Sequence, residues 1–387
     1  MLKPQRNKGF TRSGRYVLQP TGYRAFIPAP LPPRPRVRID GDVQRLLSEA
    51  DRSLGRLDGS VQTLPDPDLF VYMYVRKEAV LSSQIEGTQS SLQDLLAAEA
   101  HMNGGTGPGD VDEVVNYVRA MKHGLARLHE LPVCVRLIRE IHEQLLHGVR
   151  GSKLTPGELR RSQNWIGPGG CTLKEATFVP PPPAEVQTLL GGLESFLHQD
   201  DRLPLLIKIG LAHAQFETIH PFLDGNGRIG RLLITFLLCE SGALSKPVLY
   251  LSHYFKRHRG TYYGRLQAVR DRGDWEGWLE FFLRGVAEVS VEAADTARRI
   301  LQLREDHRQR ITNGLGRAAG NGHRVLDRLY QHPIVSVADV RSLTGTTFPA
   351  ANQLVQRLVD LGILGEFTGQ ARHRRFRYDA YVKLFDE

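Results

Sequence analysis

The chain reads as a mainly α protein with one small β-hairpin excursion and a separate C-terminal unit built from three helices and a short wing. Three observations predict this. Apolar residues recur at spacings of three to four across most of the stretch from Gly41 to Ile311. Strand-like alternation before residue 360 is confined to the neighbourhood of Lys174–Pro180. Around GRAAGNG (316–322) the character changes, and short helices are followed by two alternating apolar segments.

A chain of 387 residues has room for two or three domains. With 41% hydrophobic and 24% charged residues it has ordinary globular composition. The longest apolar run, Leu232–Cys239, is far short of the roughly 20 residues a membrane helix needs. The opening MLKPQRNKGFTRSG has no apolar stretch of the secretory kind. Cys134, Cys171 and Cys239 are isolated and suggest neither a disulfide framework nor a zinc site. No membrane partner and a cytoplasmic location are therefore expected.

The net charge of +9 is uneven. Residues 1–40 hold nine Lys/Arg against Asp40 alone, and seven prolines, so they read as a basic, polyproline-like lead-in. Such an arm either attracts a polyanion or docks on the body. Helices are expected from Gly41 through Leu57, over 68–83 with Gly87 as a stop, and over 88–100. NGGTGPGD at 103–110 is the clearest loop. Further helices are expected at 111–129, 134–148, 184–199, 204–219, 227–242, 260–270, 274–286 and 288–311. In the tail, helices at 323–331, 336–343 and 347–361 precede strands at Ile363–Phe367 and Arg374–Tyr378, which resembles a winged helix-turn-helix. Asn352, Gln353, Gln356 and Arg357 would form the recognition face, and Arg372, Arg374, Arg375 and Arg377 a phosphate-facing wing. The charge of residues 320–387 is only 9 − 7 = +2, so DNA binding and a protein-contact role both stand. The expected division is 1–110, 111–312 and 320–387.

The chemistry concentrates in His220-Pro-Phe-Leu-Asp-Gly-Asn-Gly-Arg-Ile-Gly-Arg231, between two apolar helices. Gly225-Asn226-Gly227 opens a helix, so free backbone N–H groups face the loop as an anion cradle. Asp224 is suited to a hard cation such as Mg²⁺. Arg228 and Arg231 share one helix face and could fork onto phosphates. His220 can take a proton from a hydroxyl near neutral pH. Together these fit phosphoryl or nucleotidyl transfer. The spacing of His142 and His147 puts them on different helix faces, against a zinc site, and His213 reads as a core residue. Phe222 is expected to point away as a core anchor.

The segment HPFLDGNGRIGR is very similar to the Fic family signature HxFx(D/E)GNGRxxR. SSQIEGTQSSL (82–92), LRRSQNWIGP (159–168), TFVPPPP (177–183) and LYLSHYFKRHRGTYYGRL (249–266) also resemble that family, so the likeness covers roughly 30–290. It implies a Fic helical core, a trailing winged helix, and transfer of AMP from ATP to a Ser, Thr or Tyr hydroxyl of a protein. His220 would be the base and Asp224 the Mg²⁺ ligand. Gly225, Asn226, Gly227, Arg228, Ile229, Gly230 and Arg231 would bind the nucleotide. Tyr263, with Tyr262 and Tyr254, would pack the adenosine. Thr177, Phe178, Val179 and Pro180 would form a flap that aligns the target by main-chain pairing. The prolines there would otherwise suggest an SH3-type ligand or a rigid linker.

Ser82 and Glu86 fit the family's inhibitory pattern (S/T)xxxE(G/N), which implies that Glu86 pairs with Arg231 and blocks ATP. The resemblance leaves open the target, which includes the chain itself, and a homodimer. It also leaves open another nucleotide donor, removal of AMP, and a transcriptional regulator that uses the Fic body as a sensor.

Overall fold

The computed structural model describes residues 11–64, 67–100, 109–200 and 202–386. The first ten residues of the basic arm and positions 103–108 of the expected loop lie outside the described residues. Within the lead-in, strands β1 (Gly14–Leu18) and β2 (Arg24–Pro28) pair antiparallel, with Tyr16 opposite Phe26. This hairpin was not expected. Its turn is closed by Gln19 N–H donating to the Tyr23 carbonyl, with Gly22 at φ +86°. Most of the prolines follow β2, where they leave the pairing intact.

Helix α1 (Gly41–Gln62) buries Leu46, Leu47, Ala50, Leu54 and Leu57 along one stripe. Helix α2 (Pro67–Ile85) ends just before Glu86. Helix α3 (Leu92–Glu99) starts later than expected because Ser91 and Asp94 form a reciprocal capping box. Helices α4 (Val111–Arg127), α5 (Val135–Leu145) and α6 (Pro183–His198) surround the central pair α7 (Leu205–Ile219) and α8 (Asn226–Glu240). Both central helices are apolar almost all round and almost wholly buried, as expected for helices inside a bundle.

Helices α9 (Ser252–Arg257) and α10 (Arg259–Arg272) lead to α11 (Trp275–Leu315), a single helix of 41 residues that packs along α1. Two helices were expected there. No Pro interrupts the region, Gly285 is held inside the helix against the Tyr254 ring, and Val286, Ala287, Val289 and Ser290 carry the buried face across the expected break. The hairpin expected near 174–180 is replaced by one backbone bridge between Ile166 and Phe178. Four consecutive prolines (180–183) have no N–H to extend a ladder.

The tail contains α12 (Ala319–Leu329), β3 (Ile334–Ser336), α13 (Val337–Thr344), α14 (Phe348–Asp360), β4 (Gly365–Glu366), β5 (Arg375–Arg377) and α15 (Asp379–Val382). Its sheet is antiparallel with order β3-β5-β4, so the expected wing gains a third strand. Phe385 packs edge-on against Tyr74 of α2 at 5.2 Å, which joins the tail to the main core. No helix among the described residues is long and apolar enough to cross a membrane.

Candidate functional site

Helix α7 ends at His220, whose φ of +51° is left-handed, uncommon for a residue with a side chain. That turn throws Pro221–Gly225 across the end of the helix. Phe222 is fully buried and stacks on the His142 ring at 3.7 Å. His142 Nδ1 accepts from Gly157 N–H at 2.8 Å, so its Nε2 carries the proton and donates to the Asp224 carbonyl at 3.0 Å. Burial pushes the His142 pKa down to about 4, and it stays neutral. The histidine of the near-zinc motif is thus a support for the loop. No group of three potential metal ligands occurs among the described residues.

Asn226 closes the loop from the other side. Its Oδ1 accepts from Phe222 N–H and its Nδ2 donates to the Phe222 carbonyl, both at 2.8 Å. Both side-chain atoms bond within the loop, so the amide clamps it. Gly225 sits at φ +78° and lets α8 begin in the turn.

His220 is half-buried, and burial together with the nearby Arg270 and Arg160 pushes its pKa down to about 3. The imidazole is therefore neutral and able to accept a proton. Its Nδ1 is buried without a hydrogen-bond partner. Asp224 is partly exposed. Its Oδ1 accepts from Gly225 N–H at 2.6 Å, while Oδ2 has no hydrogen bond to the described residues. One carboxylate with a free oxygen suits Mg²⁺, which is commonly held by one or two carboxylates together with substrate phosphates.

Arg231 is buried and held three ways. Its Nε donates to Ser82 Oγ at 2.8 Å, and its Nη2 donates to the Ser82 carbonyl at 3.0 Å and to Glu86 Oε1 at 2.7 Å. Burial alone would push the Glu86 pKa up, but Arg231, with Arg228 and His220, outweighs it and holds the carboxyl below its ordinary range. A Cβ on Gly227 would lie 2.2 Å from Glu86 Oε1. The first turn of α8 therefore already faces an anion, the carboxylate of Glu86. Ser82, Glu86, Gly227 and Arg231 thus lie together as one cluster.

Other site residues are placed differently from expectation. Arg228 is 1% exposed and donates to Glu113 Oε2 at 3.0 Å, with Asp224 Oδ1 at 3.6 Å and Arg150 on the far side of Glu113. It anchors the helix start and is not a free phosphate clamp. Ile229 is a core residue. Gly230 packs on Glu217, whose Oε1 would lie 2.4 Å from a Cβ there, and gives its carbonyl to His213 Nδ1. Neither position faces a ligand space. Tyr262 is buried with its hydroxyl on His213 Nε2, and Tyr254 packs against Phe281. Only Tyr263 of the three tyrosines is exposed.

The flap strand has little free edge. Phe178 exchanges both backbone hydrogen bonds with Ile166, and the Val179 carbonyl accepts from Phe26 N–H of β2 at 2.9 Å. The Phe178 ring is buried beneath the Arg270 guanidinium at 3.8 Å. Thr177 is exposed, whereas Val179 and Pro180 are buried. Sequence reasoning missed Glu113, Glu217, Arg160 and Asn164. The segment LRRSQNWIGP carried a signal for the last two, but nothing local says what a buried arginine or asparagine will touch.

Comparison with known proteins agrees with this geometry. Residues 44–126 match the Fic/DOC family N-terminal region and residues 132–238 the Fic/DOC family. Protein adenylyltransferase Fic of Drosophila grimshawi is 30% identical over 211 residues, 54% of this chain and 38% of that protein. The Aedes aegypti protein of the same name is 31% identical over 212 residues, 54% of this chain and 37% of that protein. The chain thus spans little more than a third of the length of these relatives. The crystal structure of a Fic family protein from Desulfovibrio desulfuricans G20 shares the fold with a TM-score of 0.59 at 20% identity, covering 88% of this chain and 97% of that one. With the signature loop, the buried helix pair and both family regions in place, the chain belongs to the Fic/DOC family.

Proposed function

We propose that this protein transfers AMP from ATP to a hydroxyl of a protein, and that Glu86 restrains it. The observation that carries the reading is the Glu86 carboxylate on the first turn of α8, bound to Arg231. A site built to hold an anion is filled by one from its own chain. The names of the curated relatives support the same chemistry.

In this reading a neutral His220 takes the proton of the target hydroxyl as it attacks the α-phosphate, and pyrophosphate leaves. The N–H groups at the start of α8 stabilise the charge that develops. Arg231, once free of Glu86, turns to the outer phosphates. Asp224 would hold Mg²⁺, which would neutralise phosphate charge when bound. Tyr263, the exposed tyrosine of the 249–266 segment, packs the adenine in this reading.

We read the tail as a winged helix. Arg374 donates to Asn352, Arg357 to the Gly314 carbonyl and Arg375 to Asp339, so several groups of its expected DNA face are engaged within the chain. That favours a protein contact over DNA.

Incubation of the full chain with ATP and Mg²⁺, followed by mass spectrometry, tests the reaction. Glu86→Gly is expected to add adenylyl groups to itself or to proteins of a lysate, and His220→Ala in that background to lose roughly 10²- to 10⁴-fold. A Glu86→Gly protein that binds no ATP and modifies nothing overturns the reading.

A further inference from the structure

Arg160 is 2% exposed and has no carboxylate partner among the described residues. A buried guanidinium must then be satisfied by other acceptors. It donates through Nε to the His220 carbonyl at 2.9 Å and through Nη2 to the Pro181 carbonyl and, at 3.4 Å, the Ile219 carbonyl. Its Nη1 reaches the Ser162 carbonyl at 3.4 Å, and its own N–H donates to the Pro221 carbonyl at 3.0 Å. One side chain thus touches both the residues that carry the base and the segment that follows the flap.

We propose that Arg160 is a positioning residue that locks the flap (177–180), through Pro181 just after it, and the His220 loop (219–222) into one rigid part, so that the imidazole stands at a set displacement from the flap. Its neighbours serve one side each. Gln163 donates to the Pro180 carbonyl at 3.0 Å and holds the flap. Asn164 donates to the Phe222 carbonyl at 2.8 Å and holds the loop. Arg160 alone of the three joins the two. The left-handed backbone at His220 is strained for a residue with a side chain and persists only where its surroundings over-determine it. Capture of the His220 carbonyl by Arg160, backed by Asn164 at 3.4 Å, supplies that constraint.

The consequence for rate rests on the transfer reading above; the mechanical coupling does not. Amide hydrogen exchange on the full chain reads the coupling. Arg160→Gln is expected to speed exchange roughly tenfold or more at both Thr177–Val179 and His220–Leu223. Gln163→Ala should speed only the first segment, and Asn164→Ala only the second. If Arg160→Gln leaves either segment unchanged, the coupling is refuted. If Arg160→Gln does not fold, the other two variants decide: changes confined to one segment each support the proposal, and spread to both overturns it.

In the Glu86→Gly background, Arg160→Gln should lower kcat for AMP transfer roughly tenfold or more while KM for ATP moves less than about threefold, because misplacement costs rate and not nucleotide binding. Arg160→Lys should recover part of the loss. Equal losses in kcat and ATP affinity would mark a general structural role and sink the proposal. A Glu86→Gly parent with no transfer at all counts against the transfer reading, and the exchange data then stand alone.

Discussion

Two arginines three residues apart on α8 each meet a glutamate distant in sequence, yet the pairs differ in kind. Arg228 and Glu113 are both enclosed, with side chains 1% and 6% exposed. Arg231 is equally enclosed, but its partner Glu86 is 31% exposed and lies just beyond the end of α2, next to Gly87 at φ +101°. Breaking an enclosed pair strands a charge in the interior, whereas an exposed carboxylate can exchange protein for water or for another anion. The first pair is architecture; in the reading proposed above, the second is a removable plug.

The sharpest way to break this comparison is Glu113→Ala. Loss of the enclosed partner should cost about 3–5 kcal/mol of stability, read from the denaturant midpoint. A loss as small as that of Glu86→Gly would erase the distinction. Glu86→Gly should change stability by only about 1 kcal/mol while raising AMP transfer about tenfold or more, because relief of the plug acts on nucleotide binding and not on the fold. Gly227→Ala sharpens the picture further. The new methyl would collide with the Glu86 carboxylate and narrow the same cradle. It should therefore fail to activate, and should cut transfer in the Glu86→Gly background, measured with labelled ATP.

The smallest effect concerns Glu217, the third carboxyl near Arg231. Burial pushes its pKa up to about 7, against an ordinary 4.5, and Oε1 has no partner. Between those values the unfolded chain gives up this proton and the folded chain keeps it. Stability contributed by this group is thus lost as pH rises from about 4.5 to about 7. The upper bound is about 3 kcal/mol. Glu217→Gln should flatten that part of the stability–pH curve, followed by thermal melts. Glu78, also pushed up to about 7 by burial, retains its share of the slope.

Much of the site was legible beforehand because its logic is local. The loop's glycines, Asp224, His220 and the anchor Phe222 sit within a few residues of one another, and helix periodicity placed the flanking helices within a few residues of their observed ends. Other contacts could not be read in advance. Arg228, Asn226, Gly230 and Tyr262, to which the resemblance gave ligand roles, each meet a partner supplied by the fold. The N-terminal hairpin was hidden by the prolines that follow it.

Composition and spacing by themselves determined a mainly helical body and a glycine-rich turn that opens a helix beside a histidine, because hydrophobic period and turn chemistry act over a few residues. The assignment of charges was decided only in three dimensions. Glu113 reaches Arg228 across 115 residues and Glu86 reaches Arg231 across 145, and Arg160 meets the base loop across 60. Which carboxylate is enclosed and which can leave depends on how helices pack around it, and side-chain burial is a property of that packing alone.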